Sequence, residues 1–280
     1  MFGPELQSAI EKQTGSIHDY TPLFGGDMHL VLKLQTDNGP WVAKVASTTS
    51  KIGSLKAEYK GLQLLASTNT FKTPELAGEF TTPSSVALVM RYVESTPTNS
   101  SFWDDFAQQL SQLHSNSHQN FGLDHDNYIG ALPQQNSWQK SAADHYILDR
   151  IEPQIAQAHD AGYTLKTDAF YKNLEDLITQ ETPALIHGDL WNGNYLASSQ
   201  GAVLIDPAVS YGIALMDLAM MDLFGGFPDR VFTQYGRLQK LPPSWRSSLD
   251  IYQLYYLLVH LNLFGASYLA GVKRILTKYS

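Results

Sequence analysis

The stretch that decides the reading lies between 184 and 207: Ala184-Leu185-Ile186-His187-Gly188-Asp189-Leu190-Trp191-Asn192-Gly193-Asn194-Tyr195-Leu196, a short turn, then Val203-Leu204-Ile205-Asp206-Pro207. Two apolar runs of strand character each deliver a carboxylate, Asp189 and Asp206, and Asn194 lies on the loop between them. A carboxylate at Asp189 can accept the proton of an attacking hydroxyl, while an amide oxygen and a second carboxylate suit Mg²⁺ on a polyphosphate. Either turn alone is ordinary loop punctuation, because turns collect Asp, Asn and Gly for backbone reasons. Together, in this order and between apolar strands, they predict a phosphoryl-transfer centre.

Working outward, the step from Asp189 to Asn194 is the D-x-x-x-x-N of a kinase catalytic loop, with Gly188 where protein kinases carry Arg and Asp206-Pro207-Ala208 in place of D-F-G. Upstream, Trp41-Val42-Ala43-Lys44-Val45 has the form of the kinase strand whose Lys reaches the nucleotide phosphates. Ser54 to Ala66 reads as a helix on which Glu58 can hold Lys44; an isolated surface pair is the plainer alternative, and the downstream carboxylates favour the nucleotide site. Ile17 to Phe24, Met28 to Thr36 and Trp41 to Ser47 read as strands, the last two joined at Asp37-Asn38-Gly39-Pro40. Gly25 and Gly26 can bring main-chain N–H groups over phosphates, or can simply turn the chain. After the strands Leu76 to Phe80 and Ser85 to Met90, a hinge at Met90, Arg91 and Tyr92 can face an adenine with its main chain.

The remainder is mostly helical. Phe102, Phe106, Leu110 and Leu113 mark a helix from Ser101 to about Ser115; further helices are expected from Ser137 to about Arg150 and from Leu249 to Leu263. His114 and His118 have metal-ligand spacing but no carboxylate partner in the run, so a solvated or capping role is read. Asp217 opens or lies early in a helix, as a cap or as a brace for the catalytic-loop backbone, with His187 as further structural support. His260 and Asn262 are polar exceptions in an apolar helix and read as satisfied core groups. The predicted fold is α+β and bilobal: an N-terminal lobe over 1–92 with a five-stranded antiparallel sheet and one helix, and a larger, mostly helical lobe over 93–280.

Composition agrees with such an enzyme. The 280 residues are 43% hydrophobic, carry a formal net charge of −8 with 16% charged residues, and include no Cys. No basic face for nucleic acid is evident, and disulfides, thiolate metal sites and a Cys nucleophile are excluded. With no leader-like or membrane-spanning run, a cytoplasmic location is expected; the sequence leaves the oligomeric state open, with a monomer favoured.

The chain resembles the fructosamine kinase (ketosamine 3-kinase) family, a branch of the aminoglycoside-phosphotransferase-like kinases. The resemblance rests on Gly25-Gly26, Val42-Ala43-Lys44, Glu58-Tyr59-Lys60-Gly61-Leu62, Leu88-Val89-Met90, Phe121-Gly122, Pro133-Gln134-Gln135-Asn136-Ser137-Trp138, the stretch His187 to Asn194, Asp206-Pro207-Ala208, Leu223-Phe224-Gly225-Gly226-Phe227 and His260 through Tyr268. It implies ATP- and Mg²⁺-dependent phosphorylation of the 3-hydroxyl of a ketosamine or glycated amine, whose product breaks down and frees the amine. Asp189 is then the base, Asn194 and Asp206 the metal ligands, and Asn136, Trp138, Trp191 and His260 candidate acceptor contacts. Trp191 could equally be packing between loop and helix; as an acceptor wall it offers a cation–π contact to a protonated amine. Asp27-Met28-His29 stands where many relatives have Cys or small polar residues, and Ala142 where an aromatic residue often follows Trp138. An aminoglycoside- or choline-type kinase shares every nucleotide-site residue, and a non-catalytic nucleotide-binding regulator is the alternative from another class.

Overall fold

Thr36 and Gly39 pair across a two-residue loop, Asp37-Asn38, and this hairpin sets the register of the first sheet. A computed structural model of the chain describes residues 3–23, 29–47, 49–178 and 182–280, with side chains at all of them but 49, 50 and 175. The expected glycine loop, Gly25-Gly26, and the departures at Asp27 and Met28 lie outside the described residues. In chain order the structure opens with α1 (Pro4–Thr14), β1 (Ile17–Pro22), β2 (Leu30–Thr36), β3 (Gly39–Ala46), α2 (Thr49–Ser67), β4 (Leu76–Thr81) and β5 (Val86–Arg91). The strands form one antiparallel sheet in the order β1-β2-β3-β5-β4.

Side-chain alternation explains how both faces of that sheet are covered. Ala87 and Val89 of β5, with Trp41 and Ala43 of β3, pack on Leu6 and Ile10 of α1. Their neighbours Val86, Leu88 and Met90, with Ala46, pack on Leu55 and Leu62 of α2. Strand β5 therefore buries both faces, which is why Val86-Ala87-Leu88-Val89-Met90 is apolar without a break. Parity along β3 puts Lys44 on the α2 side, with Ala46.

The second set of elements is α3 (Ser100–His114), β6 (Asn127–Ile129), β7 (Leu132–Gln134), α4 (Ala142–Asp144), a π-helical segment (His145–Ile151), α5 (Glu152–Asp160), α6 (Asp168–Leu177) and β8 (Ala184–Ile186). Then come β9 (Tyr195–Ser198), β10 (Gly201–Leu204), β11 (Ser210–Gly212), α7 (Leu215–Phe224), α8 (Asp229–Leu238), α9 (Leu249–Phe264) and α10 (Leu269–Lys278). Helix α3 packs on α8, and α9, buried almost all round, packs on α5, α7 and α10. The helix expected from Ser137 is a correction. Residues 137–141 run outside any helix, Gln139 and Phe121 exchange main-chain hydrogen bonds (2.9 and 2.8 Å), and the Ser141 hydroxyl caps the helical run by accepting from Asp144 N. Pro153 falls in the first turn of α5, directly after the widened π segment, where its missing N–H costs little.

By its packing the chain separates into Met1–Pro97 with Leu196–Asp206, and Thr98–Tyr195 with Pro207–Ser280. Sequence reasoning drew one cut between 92 and 93. The first unit additionally takes 93–97 and the distant hairpin of β9 and β10, because Leu204 N–H donates to Lys72 O (2.9 Å) and Thr96 N–H to Ala197 O (2.8 Å).

Candidate active site

In the first unit, Leu55 and Leu62 of α2 face the sheet, and Glu58, one turn after Leu55, shares their stripe. It meets Lys44 from β3: Nζ donates to Glu58 Oε1 at 2.7 Å, with both residues buried. The same ammonium pairs with the carboxylate of Asp206, so two elements and the end of β10 converge on one lysine. Asp206 has φ of +53°, a left-handed conformation that Asp tolerates better than most residues and that concentrates at functional turns.

At the proposed hinge, Met90 is buried in β5 against Val42 and Leu76. Arg91 N–H donates to Glu75 O (2.7 Å) and Tyr92 N–H to Pro40 O (3.2 Å), so these two main-chain donors are taken up by neighbouring main chain. Their side chains brace the same edge: the Arg91 guanidinium lies 3.7 Å from the Trp41 ring centroid, and the Lys33 ammonium 3.6 Å from that of Tyr92.

In the second unit, β8 pairs with β11 and hands the chain to the catalytic loop. Asp217, fully buried in the first turn of α7, accepts from His187 N–H (2.8 Å) and Gly188 N–H (2.9 Å). It is therefore a brace for the loop rather than a helix cap. Gly188 has φ of +83°, and a Cβ there would lie 2.1 Å from Ala208 O, so no larger residue fits. Tyr256 donates its hydroxyl to Gly188 O, and the buried His187 accepts Asp189 N–H at Nδ1.

The amide of Asn194 donates through Nδ2 to Asp189 O (2.8 Å) and Asp189 Oδ2 (3.0 Å), fixing the orientation of both side chains. Asp189 is half-buried, and burial is the main cause that pushes its pKa up to about 7; the Asn194 hydrogen bond opposes this and the nearby Asp217 charge adds to it. A pKa near neutrality suits a general base. Asn194 in the second unit offers an amide oxygen and Asp206 in the first a carboxylate, each a hard oxygen donor of the kind Mg²⁺ takes.

The residues suggested for the acceptor do not share one environment. Trp191 is 38% exposed in the catalytic loop, and His260 is half-buried, donating from Nδ1 to Tyr256 O (2.8 Å) with its ring 4.5 Å from Phe224. Gly226, two residues after Phe224, approaches Asn192 so closely that a Cβ would meet it at 2.5 Å, which brings the aromatic group of Phe224 and His260 beside the loop. Trp138 instead stacks on His118 at 4.4 Å, which in turn leans on Tyr211. Asn136 is a correction: at 2% exposure its side chain is enclosed in a polar network and faces no acceptor.

Sequence reasoning missed His114. Its Nε2 meets Asp217 Oδ2 (3.1 Å) and its Nδ1 the Tyr235 hydroxyl (2.7 Å), all three groups buried. Neither solvated nor capping, it extends the brace of the catalytic loop into α3 and α8. The partners lie 103 and 121 residues away, and only the apolar stripe of α3 hinted that position 114 faces inward.

Comparison with known proteins gives a consistent picture. The fructosamine kinase family model matches residues 4–280. A ketoamine kinase of Enterococcus faecium is 34% identical over 266 residues, covering 92% of this chain and 94% of its own. One of Lactiplantibacillus plantarum is 35% identical over 271 residues, covering 94% and 95%. A fructosamine-3-kinase structure from Thermobifida fusca superposes with a TM-score of 0.86 at 29% identity, over 99% of this chain and 98% of that one. An aminoglycoside phosphotransferase, at 15% identity and a TM-score of 0.64 over 99% of both chains, shares the fold.

Proposed function

Because the chain belongs to the fructosamine kinase family, we propose that it transfers the γ-phosphoryl group of ATP to the 3-hydroxyl of a ketosamine, a sugar rearranged onto an amine. The observation that carries the reading is Lys44, whose ammonium is held by Glu58 from α2 and by Asp206 from the end of β10. Such a converging cation is what a nucleotide polyphosphate requires.

In the proposed reaction Asp189 takes the proton of the acceptor hydroxyl at the oxygen that Asn194 leaves to it, while the hydroxyl oxygen bonds to phosphorus and the bond to ADP breaks. Asn194 and Asp206 would hold Mg²⁺, which when bound neutralises charge on the phosphates. Lys44, kept in place by Glu58, adds to that neutralisation, and positioning with electrostatics supplies most of the acceleration. Trp191, with His260 and Phe224 beside its loop, offers a wall for the sugar or its amine. Phosphorylation at the 3-hydroxyl then leads to spontaneous release of the amine, which makes the activity deglycating. We assign the enzyme to the cytoplasm, where ATP is supplied, and expect it to act as a monomer on small molecules.

The test is ATP consumption with a fructosamine, a ribulosamine, choline and kanamycin as acceptors. Turnover with the ketosamines and free amine among the products is the expected result; preference for choline or kanamycin would overturn the acceptor assignment. Asp189→Asn should keep nucleotide binding and lose about 10²–10⁴-fold in kcat, and undiminished turnover would rule Asp189 out as the base.

A further inference from the structure

Arg150 is 1% exposed, delivered by the π-helical segment, and the four acceptors it reaches are all uncharged: Gln135 O (2.6 Å) and Asp149 O (3.1 Å) from Nη1, Asn136 Oδ1 (2.8 Å) and Ser210 Oγ (3.1 Å) from Nη2. Burying a guanidinium is costly and is offset only by pairing and hydrogen bonds of good geometry, and π segments concentrate at functional sites. The groups around it share one target. Asn127 Oδ1 accepts from Gln134 Nε2 (2.7 Å) and Asn136 Nδ2 (2.8 Å); Asn127 Nδ2 donates to Val209 O (2.8 Å); and Gln134 Nε2 also reaches Ala208 O (3.2 Å). Tyr255 closes the network by donating to Gln134 Oε1 (2.7 Å). Three consecutive residues, Ala208, Val209 and Ser210, are thus each held by a buried side chain.

The opposite side of that segment is the catalytic loop. Ala208 N–H donates to His187 O (2.9 Å), Ser210 pairs with Ile186, and Ala208 O fills the space beside Gly188. We infer that Asn127, Gln134, Asn136 and Arg150 form a positioning frame that sets Ala208 to Ser210 and, through them, the backbone from which Asp189 projects. None of the four touches a reacting atom. The effect on turnover rests on the reading of Asp189 as the base; the effect on the backbone does not. The frame gives a physical role to the Gln134 to Asn136 stretch, which the acceptor assignment leaves unexplained.

Two variants and two readouts test it. Asn127→Asp keeps Oδ1 as the acceptor of both hydrogen bonds and replaces the donor to Val209 O by a charged acceptor oxygen, while Arg150→Lys keeps the charge and loses the fork. Each is assayed below its own melting temperature, for kcat and nucleotide KM, and by hydrogen exchange at the Ala208 and Gly188 amides. The frame predicts kcat lower by about 10- to 100-fold, as for small misplacements of a catalytic group, nucleotide KM within about twofold, and amide exchange faster by about tenfold. Wild-type kcat together with wild-type exchange in both variants would overturn it, whatever their melting temperatures. If the unaltered protein phosphorylates no ketosamine, the functional reading fails by itself, and exchange at the two amides still decides whether the frame exists.

Discussion

At the scale of single residues, the site is governed by what each charged group is held by. Exchanging the Glu58 carboxylate for an amide leaves the buried Lys44 ammonium without the negative charge it meets at 2.7 Å, and a hydrogen bond to a charged group contributes about 1.5–3 kcal/mol. Glu58→Gln should therefore lower kcat/KM for ATP by about 10- to 100-fold, with a smaller change in the ketosamine KM; steady-state kinetics in both substrates separates the two. Asp189 makes a second residue-scale prediction. Its pKa of about 7 means the carboxyl is still largely protonated at pH 6 and unable to accept a proton. The kcat/KM profile should rise with pH through about 7 and then level off; a rate already at its plateau at pH 5.5 would contradict the assignment.

At the scale of elements, the parts that showed in the sequence are those with a period long enough to register. The alternation of β2 and β3, the unbroken apolar run of β5 and the stripe of α3 are all of this kind, and the Asp37-Asn38-Gly39 hairpin has its own turn chemistry. Strands of three residues, β6, β7 and β11, are too short to carry a period, β8 showed only as the apolar run before His187, and a π-helical segment has no sequence signature. The site divided in the same way. Lys44, Glu58 and Asp206 were legible because each ends or faces a recognisable element, whereas the bracing of Asp217 by His114 depends on partners remote in sequence. Helix α8, whose Val231, Phe232 and Tyr235 form a regular inward face, carried a signal that was passed over. The brace and the close approach at Gly188 make two element-scale predictions. His114→Leu should reduce kcat more than nucleotide affinity, with His114→Gln, which keeps a donor for Asp217, recovering part of the loss. Gly188→Ala should cost about 2 kcal/mol or more in denaturant melts, from left-handed strain plus overlap with Ala208 O.

At the scale of the whole molecule, acid stability reports two groups, one buried and one half-buried, with opposite signs. Burial, helped by the Arg150 charge, lowers the pKa of His145 to about 4 against an ordinary 6.5. From pH 6.5 down to about 4 the unfolded chain takes up a proton that the folded one refuses, so this group removes stability as the pH falls, by about 3 kcal/mol in full. Asp189 acts the other way: its raised pKa lets the folded state keep a proton that the unfolded state loses, a contribution complete below the ordinary carboxylate range and gone once the pH passes about 7. The two slopes offset each other between pH 4 and 6.5. Replacing His145 by Gln should therefore leave a protein whose urea midpoint falls with rising pH across that window, and an unchanged profile would contradict the His145 contribution.

The double pairing of Lys44 sets a condition on what the first unit can admit. One ammonium faces the carboxylates of both Glu58 and Asp206, so a bare triphosphate arriving there adds negative charge beside two carboxylates. Under the proposed metal role of Asp206, a triphosphate already wrapped around a divalent ion would bring its own counter-charge, and Asp206 would exchange its lysine partner for that cation. Chelating the free divalent ions should thus weaken nucleotide capture itself, before any chemistry begins.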